Sequence, residues 1–257
     1  MKSLPAIFVG HGSPMNALYP NRHTMAWQKF TESHERPKAI LAISAHWYIS
    51  GISVTAMDAP ATIHDFYGFP DELFCVQYPA PGSKELAQRV GGLLSPQPVR
   101  QDTDEWGLDH GTWSVLTHMY PNADIPVVQL SIDINKSFEE HLALAKALRP
   151  LRDQGVLIVA SGNMVHNLSI MNWSLEEDGY DWAIDFDQWT RDAIATDPKS
   201  LVNAPSHEHF NKAVPTPEHF IPALYIAGVA DTSLRTTEIV TGGCVYGSIS
   251  MTSWSVN

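Results

Sequence analysis

Cysteine is scarce in this sequence: its 257 residues include only Cys75 and Cys244, and these form no Cys-x-x-Cys pair. Without paired thiolates, the chain has neither a cysteine-based zinc site nor a thioredoxin-like redox motif. Two cysteines are also too few for the disulfide framework of a small secreted protein. Any metal or catalytic site is therefore expected to use other side chains.

Long hydrophobic runs and basic clusters are missing as well. No stretch approaches the ~18 apolar residues of a membrane-spanning helix, and the first apolar run, residues 6–9, is too short for the core of a signal peptide. Lys and Arg total 16 against 28 Asp and Glu, and the resulting net charge of −12 repels phosphate backbones. We therefore expect a soluble, cytoplasmic protein that binds neither membranes nor nucleic acid.

Hydrophobic residues make up 44% of the chain and charged residues 17%, a balance that supplies a sizeable core. No repeat, low-complexity tract or linker interrupts the sequence, so residues 1–257 are predicted to form a single domain. Continuous apolar runs, which are typical of strands covered on both faces, recur at residues 6–9, 39–43, 52–56, 126–132 and 156–160.

Helical patterns lie between these predicted strands. A capping-box signature opens a predicted helix over residues 137–149, and apolar residues also repeat with helical spacing at 83–94 and 182–193. Strands that alternate with helices predict an α/β fold, here a single three-layer domain with a mainly parallel or mixed central sheet and helices on both faces. The segment 223–230 is compatible with a helix or with a strand.

Histidine is the residue in excess, with twelve in the chain. Three of them follow predicted strands: His11 follows the first, His46 the second, and His166 the strand at residues 156–160. Open α/β sheets bind ligands outside the carboxyl ends of their strands. These three imidazoles are therefore expected to meet in one crevice, and imidazoles held by separate elements suit Fe or Zn.

Two further histidines lie in segments of a similar kind. His110 lies in a turn just before a predicted helix, and His219 follows Thr216 and Pro217, the predicted N-cap and first residue of another helix. Glu218 directly precedes His219, so this segment offers either a carboxylate or an imidazole to a metal.

A histidine taken singly is more often a surface residue or a hydrogen-bonded core residue than a ligand. Six histidines are interpreted in this way because they lack a strand-end setting: His23, His34, His118, His141, His207 and His209. His64 is compatible with a loop or with a substrate pocket. The aromatic residues Trp47, Tyr67 and Trp113 are compatible with the wall of a flat ring pocket or with the core.

The motifs that contain the five strand-end and helix-start histidines resemble those of a known family. They are Gly10-His11-Gly12-Ser13-Pro14, Ser44-Ala45-His46-Trp47, Asp109-His110-Gly111, Ser161-Gly162-Asn163-Met164-Val165-His166-Asn167 and Pro217-Glu218-His219. The set resembles the class III extradiol ring-cleavage dioxygenases, specifically the branch similar to 4,5-DOPA extradiol dioxygenase. The resemblance runs from residue 8 to about residue 248.

This resemblance implies an enzyme that opens the aromatic ring of a catechol such as DOPA with O₂ and forms a muconate semialdehyde-type product. It implies an Fe(II) cofactor with His11 and His46 as two of its ligands. The third ligand in the family is usually a glutamate, whereas the resemblance to this branch implies the histidine at position 219, His219.

The resemblance also implies an acid/base pair, in which His110 is the proton donor and His166 the proton acceptor. In zinc-loaded members of the branch, the residue matching His166 itself reaches the metal, so Zn(II) is an expected ion in purified protein and His166 is a candidate ligand. The choice between Glu218 and His219 as ligand, and between base and ligand for His166, stays open at this point.

Other functions are compatible with the same residues. A zinc-dependent hydrolase is the main alternative, because a histidine-lined site activates water as readily as O₂. A serine hydrolase fits less well, since the sequence around Ser13 does not match the nucleophile elbow G-x-S-x-G. The non-catalytic alternative is a binding domain whose histidines only tie loops together. The sequence indicates neither the oligomeric state nor the physiological catechol.

Overall fold

The apolar runs of the sequence form strands of a mixed sheet in this computed structural model, which describes residues 3–230 and 237–257. The strands are β1 (Ala6–Gly10), β2 (Ala39–Ile49), β3 (Ile52–Thr55), β4 (Val99–Asp102), β5 (Val127–Asp133), β6 (Val156–Gly162), β7 (Thr237–Thr241), β8 (Cys244–Val245), β9 (Ile249–Ser250) and β10 (Ser253–Val256). One sheet has the order β4-β3-β5-β2-β6-β1-β10-β7, and β8 pairs with β9 apart from it. All five predicted strands are confirmed.

The helices between the strands agree with the predicted helical segments. They are α1 (Arg22–Glu32), α2 (Asp71–Phe74), α3 (Lys84–Leu94), α4 (His110–Met119), α5 (Phe138–Leu148), α6 (Asp181–Thr196), α7 (Phe210–Ala213) and α8 (Ile221–Val229). Short 3-10 segments cover Pro14–Ala17, Arg149–Gln154, Leu168–Ile170, Pro198–Ser206 and Pro217–His219. The capping box of α5 is present at Ser137 and Glu140. The ambiguous segment 223–230 is helical up to Val229, and α8 is apolar and buried along its whole length.

Parallel strands in the centre of the sheet decide where the site lies. β6 lies between β1 and β2 and is parallel to both, and its register pairs Gly162 with Gly10 and Ser161 with Ser44. The carboxyl ends of these three strands therefore share one edge of the sheet. Loops that leave this edge bring distant parts of the sequence together, as open α/β sheets do at their ligand sites.

Helices cover both faces of the sheet. Along β2, Leu41 and Ile43 belong to the core that also contains residues of α3, α5 and α8. Ile40 and Ala42 belong to the opposite core, together with Trp27 of α1. This is the predicted three-layer α/β fold, and burial of each such aliphatic side chain contributes roughly 1.5–3 kcal/mol. The assignment of residues 1–257 to one domain stays a prediction.

Strand β2 is longer than its sequence predicts, since it continues past residue 43 to Ile49. Its pairing with β5 shifts between Ile43 and Tyr48, an irregularity of the kind that re-aims side chains near active sites. His46 therefore lies within an irregular part of β2 and not beyond the end of the strand. Among the helices of the described residues, none has the length and apolar character needed to cross a membrane.

Candidate metal centre and active site

Five histidines meet at the edge formed by the carboxyl ends of β1, β2 and β6. The ring centroid of His46 lies 5.1 Å from that of His11 and 3.8 Å from that of His110. The centroid of His219 lies 5.4 Å from that of His11 and 5.2 Å from that of His46. His166 stacks on His219 with a centroid distance of 3.5 Å. The structure thus brings together all five histidines that the sequence motifs single out.

The backbone at the ends of β1 and β6 positions His11. Its N–H donates a 3.0 Å hydrogen bond to the carbonyl oxygen of Gly162. Gly12 then adopts a φ of 62°, a left-handed conformation that glycine reaches without strain, and the chain turns away from the sheet. A glycine-rich strand end therefore leaves the His11 ring in the site.

His219 depends on a close approach between its 3-10 segment and β6. Its carbonyl oxygen accepts a 2.9 Å hydrogen bond from the N–H of Asn163. A Cβ atom on Gly162 would lie 2.1 Å from the same oxygen, so only glycine allows this contact. The expected N-cap, Thr216, has extended backbone but makes no side-chain capping bond.

The other two histidines belong to separate elements. His110 is the first residue of α4, which begins after the N-cap Asp109. His166 lies in the segment after β6, where its N–H donates a 2.8 Å hydrogen bond to the carbonyl oxygen of Ala213. Elements distant in sequence therefore hold all five rings, which is the arrangement that a rigid metal or catalytic site requires.

The Nδ1 atom of His11 is committed to a hydrogen bond with Ser161, at 2.8 Å. The Ser161 hydroxyl donates its own proton to the carbonyl oxygen of Gly111, at 2.6 Å. Since that proton is used, the Ser161 oxygen accepts from His11, and Nδ1 carries the hydrogen. The lone pair of neutral His11 is therefore on Nε2.

Carboxylates contact the Nδ1 atoms of two other histidines. His46 Nδ1 lies 2.9 Å from Asp65 Oδ2, and His219 Nδ1 lies 3.1 Å from Glu218 Oε1. A carboxylate accepts hydrogen bonds, so both rings carry their proton on Nδ1 and leave Nε2 available. The Nε2 atoms of His11 and His46 face each other at 3.3 Å.

Possible ligand atoms fall into two neighbouring groups within the described residues. His11, His46 and His110 form one group, and His166, Glu218 and His219 form the other, with ligand atoms within 4.8 Å of one another in each. The first group is a buried cluster of imidazoles without cysteine, a donor set suited to a non-haem metal ion.

Electrostatics keep most of these imidazoles uncharged. Burial and the neighbouring histidines hold the pKa of His11 and of His219 well below the usual range. Burial also lowers the pKa of His166 to about 4. Burial opposes a charge on His46 too, but the hydrogen bond with Asp65 and the charges of Asp109, Asp65 and Glu218 together outweigh it and raise the pKa. Neutral imidazoles are the form that binds a metal.

Asp65 is a site residue that sequence reasoning missed. Burial disfavours its charge, but contacts with His110 and His46 outweigh this effect and lower the pKa of the carboxyl. The sequence left His64, the residue before Asp65, compatible with a loop or with a substrate pocket. Its Nε2 atom lies 2.9 Å from the carbonyl oxygen of Val76. No signal in the sequence distinguishes Asp65 from other loop aspartates, because its role depends on where the loop lies.

A cavity of about 420 Å³ opens onto the five rings. Its other walls are mainly aromatic and aliphatic, with side chains of Phe66, Tyr67, Phe69, Leu168, Met171, Trp173, Val245, Tyr246 and Ile249. The size and apolar lining are typical of sites for small organic ligands.

The three aromatic residues considered from the sequence divide between the cavity and the core. Tyr67 lines the cavity and is exposed. Trp47 stacks on Trp106 with a centroid distance of 5.5 Å, and the Trp113 indole N–H donates to the carbonyl oxygen of Ile63. Neither tryptophan is among the residues that line the cavity.

Comparison with known proteins identifies the family. The model of a family described as the catalytic LigB subunit of aromatic ring-opening dioxygenase matches residues 5–256. The chain belongs to this family. The predicted resemblance to class III extradiol ring-cleavage dioxygenases is thereby confirmed, and this LigB-type chain is a ring-cleaving dioxygenase.

Individual relatives match the LigB-type chain over nearly their whole length. It is 47% identical to a protein of Escherichia coli K12 named 4,5-DOPA dioxygenase extradiol, with 97% of this chain and 93% of that protein aligned. It is 39% identical to a protein of the same name from Beta vulgaris, with 96% of each aligned. The crystal structure of an uncharacterized Escherichia coli K12 protein matches with a TM-score of 0.87 and 43% identity, covering 99% of this chain and 100% of that one.

Proposed function

We propose that this LigB-type dioxygenase holds one Fe(II) through the Nε2 atoms of His11, His46 and His219 and opens the ring of a catechol such as DOPA. Both atoms of O₂ enter a muconate semialdehyde-type product, so the reaction balances without an external reductant. The names of the relatives from Escherichia coli and Beta vulgaris support this substrate class.

The observation that carries the proposal is the pair of Nε2 atoms of His11 and His46, 3.3 Å apart. Both rings carry their proton on Nδ1 in the neutral state, so two nitrogen lone pairs face the same point. Such an arrangement is repulsive unless a metal ion or a proton lies between the two Nε2 atoms, and the metal ion is the occupant that we propose. Histidines that donate Nδ1–H to an oxygen and present Nε2 are the usual metal ligands of proteins.

Contacts of Glu218 favour His219 as the third ligand. The Oε1 atom of Glu218 accepts a 2.7 Å hydrogen bond from the Thr216 hydroxyl and contacts His219 Nδ1. This carboxylate therefore orients the imidazole, as residues that accept a hydrogen bond from a metal-binding histidine usually do. His219 keeps Nε2 available for the metal.

Three protein ligands leave coordination positions open, and Fe(II), when bound there, supplies the point at which catechol and O₂ react. His166 and His110 remain for proton transfer. His166 lines the cavity beside His219, and we assign it to take the proton from a catechol hydroxyl. His110 lies beside Asp65 and is assigned to return a proton to oxygen as the ring opens.

The cavity walls complete the site. Phe66 and Phe69 line it, and the ring of Phe66 lies 5.4 Å from that of His110. Flat apolar walls bind an aromatic ring by its faces and keep water away from the reacting oxygens. A catechol with its hydroxyls toward the histidines therefore matches both the shape and the chemistry of the cavity.

The test is anaerobic reconstitution with Fe(II), addition of DOPA and a panel of other catechols, and admission of O₂. One O₂ consumed per catechol, with a yellow ring-opened product, is the expected result. Protein loaded with Zn(II) is the matched control, and it should consume no O₂ because zinc does not change its oxidation state.

Zinc in a purified sample would not contradict the proposal, since zinc binds such sites more tightly than Fe(II). Ester or amide hydrolysis by the zinc-loaded protein, without O₂ uptake by the Fe(II)-loaded protein, would instead support the zinc hydrolase. The family match does not favour that alternative.

A further inference from the structure

The loop between β3 and α2 carries one carboxylate, Asp65, that contacts two of the five histidines. Its Oδ2 lies 2.9 Å from His46 Nδ1, and its Oδ1 accepts a 2.9 Å hydrogen bond from the backbone N–H of His110. The same Oδ1 lies 3.0 Å from His110 Nδ1. We propose that Asp65 is a positioning residue that orients the ligand His46 and the proton donor His110 together. This inference rests on the proposed function.

Backbone hydrogen bonds hold the loop in place. The N–H of Ile63 donates to the carbonyl oxygen of Leu108, and the N–H of Leu108 donates to that of Ala61, each at 2.8 Å. The Trp113 indole N–H donates to the carbonyl oxygen of Ile63, also at 2.8 Å. The loop is thereby attached to α4 and to the residues just before it, so Asp65 and His110 are held in one unit.

The contact with His46 selects the tautomer that binds a metal. Because a carboxylate only accepts hydrogen bonds, Asp65 keeps the proton of neutral His46 on Nδ1. Nε2 is then unprotonated and faces His11 Nε2 at 3.3 Å. The opposite tautomer would direct an N–H toward the metal and would exclude it.

The contact with His110 fixes the start of α4. The backbone N–H of His110 is one of the N-terminal donors that a helix cannot satisfy internally, and Asp65 Oδ1 satisfies it. His110 Nδ1 makes no hydrogen bond in its present orientation, although Oδ1 is 3.0 Å away. With Oδ1 this close, Nδ1 is the ring nitrogen that faces Asp65, and Nε2 of the protonated His110 ring is left as the atom that donates its proton.

Asp109, which directly precedes His110 in the sequence, makes its hydrogen bonds to residues other than His46 and His110. It is fully buried, caps α4 through the N–H of Thr112, and accepts a hydrogen bond from the side-chain amide of Gln129. Asp65 is therefore the carboxylate that faces both His46 and His110.

The experiment compares Asp65→Asn with the wild-type protein and with Asp58→Asn. Asp58 is an exposed aspartate of the same loop whose side chain contacts only Lys84 among the described ion pairs. Asparagine keeps an acceptor for the backbone N–H of His110, but its amide donates toward His46 Nδ1 and favours the wrong tautomer. Anaerobic titration with Co(II), followed by its visible absorption, measures metal affinity without any substrate.

Asp65→Asn is expected to raise the dissociation constant for Co(II) by about 10- to 100-fold, the usual effect of removing a residue that hydrogen-bonds to a metal ligand. With Fe(II) at saturation, its kcat should still fall by about tenfold or more while KM changes little, because His110 is no longer oriented. Asp58→Asn should match the wild type in both measurements.

Equal Co(II) affinity and equal kcat in Asp65→Asn and wild type would overturn this inference and leave the proposed function standing. Failure of the wild type to bind one Co(II) would overturn the proposed function itself. If Asp65→Asn does not fold, ¹⁵N NMR of the Zn(II)-loaded wild type decides the point. His46 should show a protonated Nδ1 and a metal-bound Nε2, and the reverse assignment would overturn the inference.

Discussion

The imidazole rings of His166 and His219 stack face to face, with centroids 3.5 Å apart and an interplanar angle of 10°. His166 follows β6, whereas His219 ends a 3-10 segment that precedes α8. Because the rings are stacked, the proposed metal ligand His219 and the proposed proton acceptor His166 lie side by side and can act on the same bound molecule. Their different partners predict different consequences of mutation.

His219→Ala should remove the metal, whereas Glu218→Gln should keep it. Alanine deletes the proposed third ligand, and metal content should fall from about one ion per chain to well below half. Glutamine still offers an oxygen to His219 Nδ1, so Glu218→Gln should bind metal with a modest loss of affinity. Elemental analysis of proteins reconstituted anaerobically with Fe(II) measures both effects. Retention of metal by His219→Ala together with its loss in Glu218→Gln would identify Glu218 as the ligand.

His166→Gln and His110→Gln should each lower turnover by about 10²- to 10⁴-fold, the range for loss of a general acid or base. Iron content should stay near that of the wild type, because neither residue is one of the three proposed ligands. Stopped-flow O₂ uptake with DOPA and parallel iron analysis measure the two quantities. Loss of iron in His166→Gln would make this residue a ligand, and unchanged turnover in both variants would contradict the assigned roles.

Gly162→Ala should lower stability and metal affinity by displacing the backbone of His219. Its new Cβ atom would lie 2.1 Å from the carbonyl oxygen of His219, so the 3-10 segment must move away from β6. We expect a loss of about 1–3 kcal/mol in the free energy of unfolding, together with weaker metal binding. Urea denaturation and metal titration provide the two measurements.

Gly92→Ala is the matched control for this glycine substitution. Gly92 lies in α3, and a Cβ atom there meets nothing within 4 Å. Alanine should therefore raise the free energy of unfolding by up to about 1 kcal/mol and leave metal binding unchanged. Equal stability of Gly162→Ala and the wild type would show that the contact with His219 is unimportant.

His141 should make the protein less stable as the pH falls. It is fully buried, its Nδ1 lies 3.2 Å from the Tyr225 hydroxyl, and burial lowers its pKa to about 4. The unfolded chain binds a proton near pH 6.5, which the folded protein does not do until about pH 4. The stabilisation is therefore present above pH 6.5 and is lost between these two values as the pH decreases.

Urea denaturation at pH 7.5 and pH 5.5, with metal removed, measures this effect. Between these pH values, the wild type should lose about 1 kcal/mol more than His141→Gln, which has no imidazole at this position. The comparison of slopes remains valid even if the substitution lowers stability at both pH values. Equal losses in the two proteins would contradict the assignment.

Local sequence patterns were sufficient for much of the fold. Apolar runs predicted β1, β2, β3, β5 and β6, and a capping box predicted the start of α5, because short-range hydrogen bonding and burial on both faces determine these elements. The histidines after β1 and β6 were found because parallel strands end at one edge of a sheet. His46 was found in the same way, but its position within β2 required the structure, since it depends on a register shift between β2 and β5.

The sequence by itself determined which imidazoles are available and that they leave the sheet at one edge. Only the tertiary structure decided that Asp65 contacts both His46 and His110 and that Glu218 contacts Nδ1 of His219. It also decided which aromatic side chains line the cavity. The physical reason is that strand ends follow from local periodicity, whereas these contacts depend on the paths of loops packed against elements distant in the chain. No local pattern of residues encodes such a path.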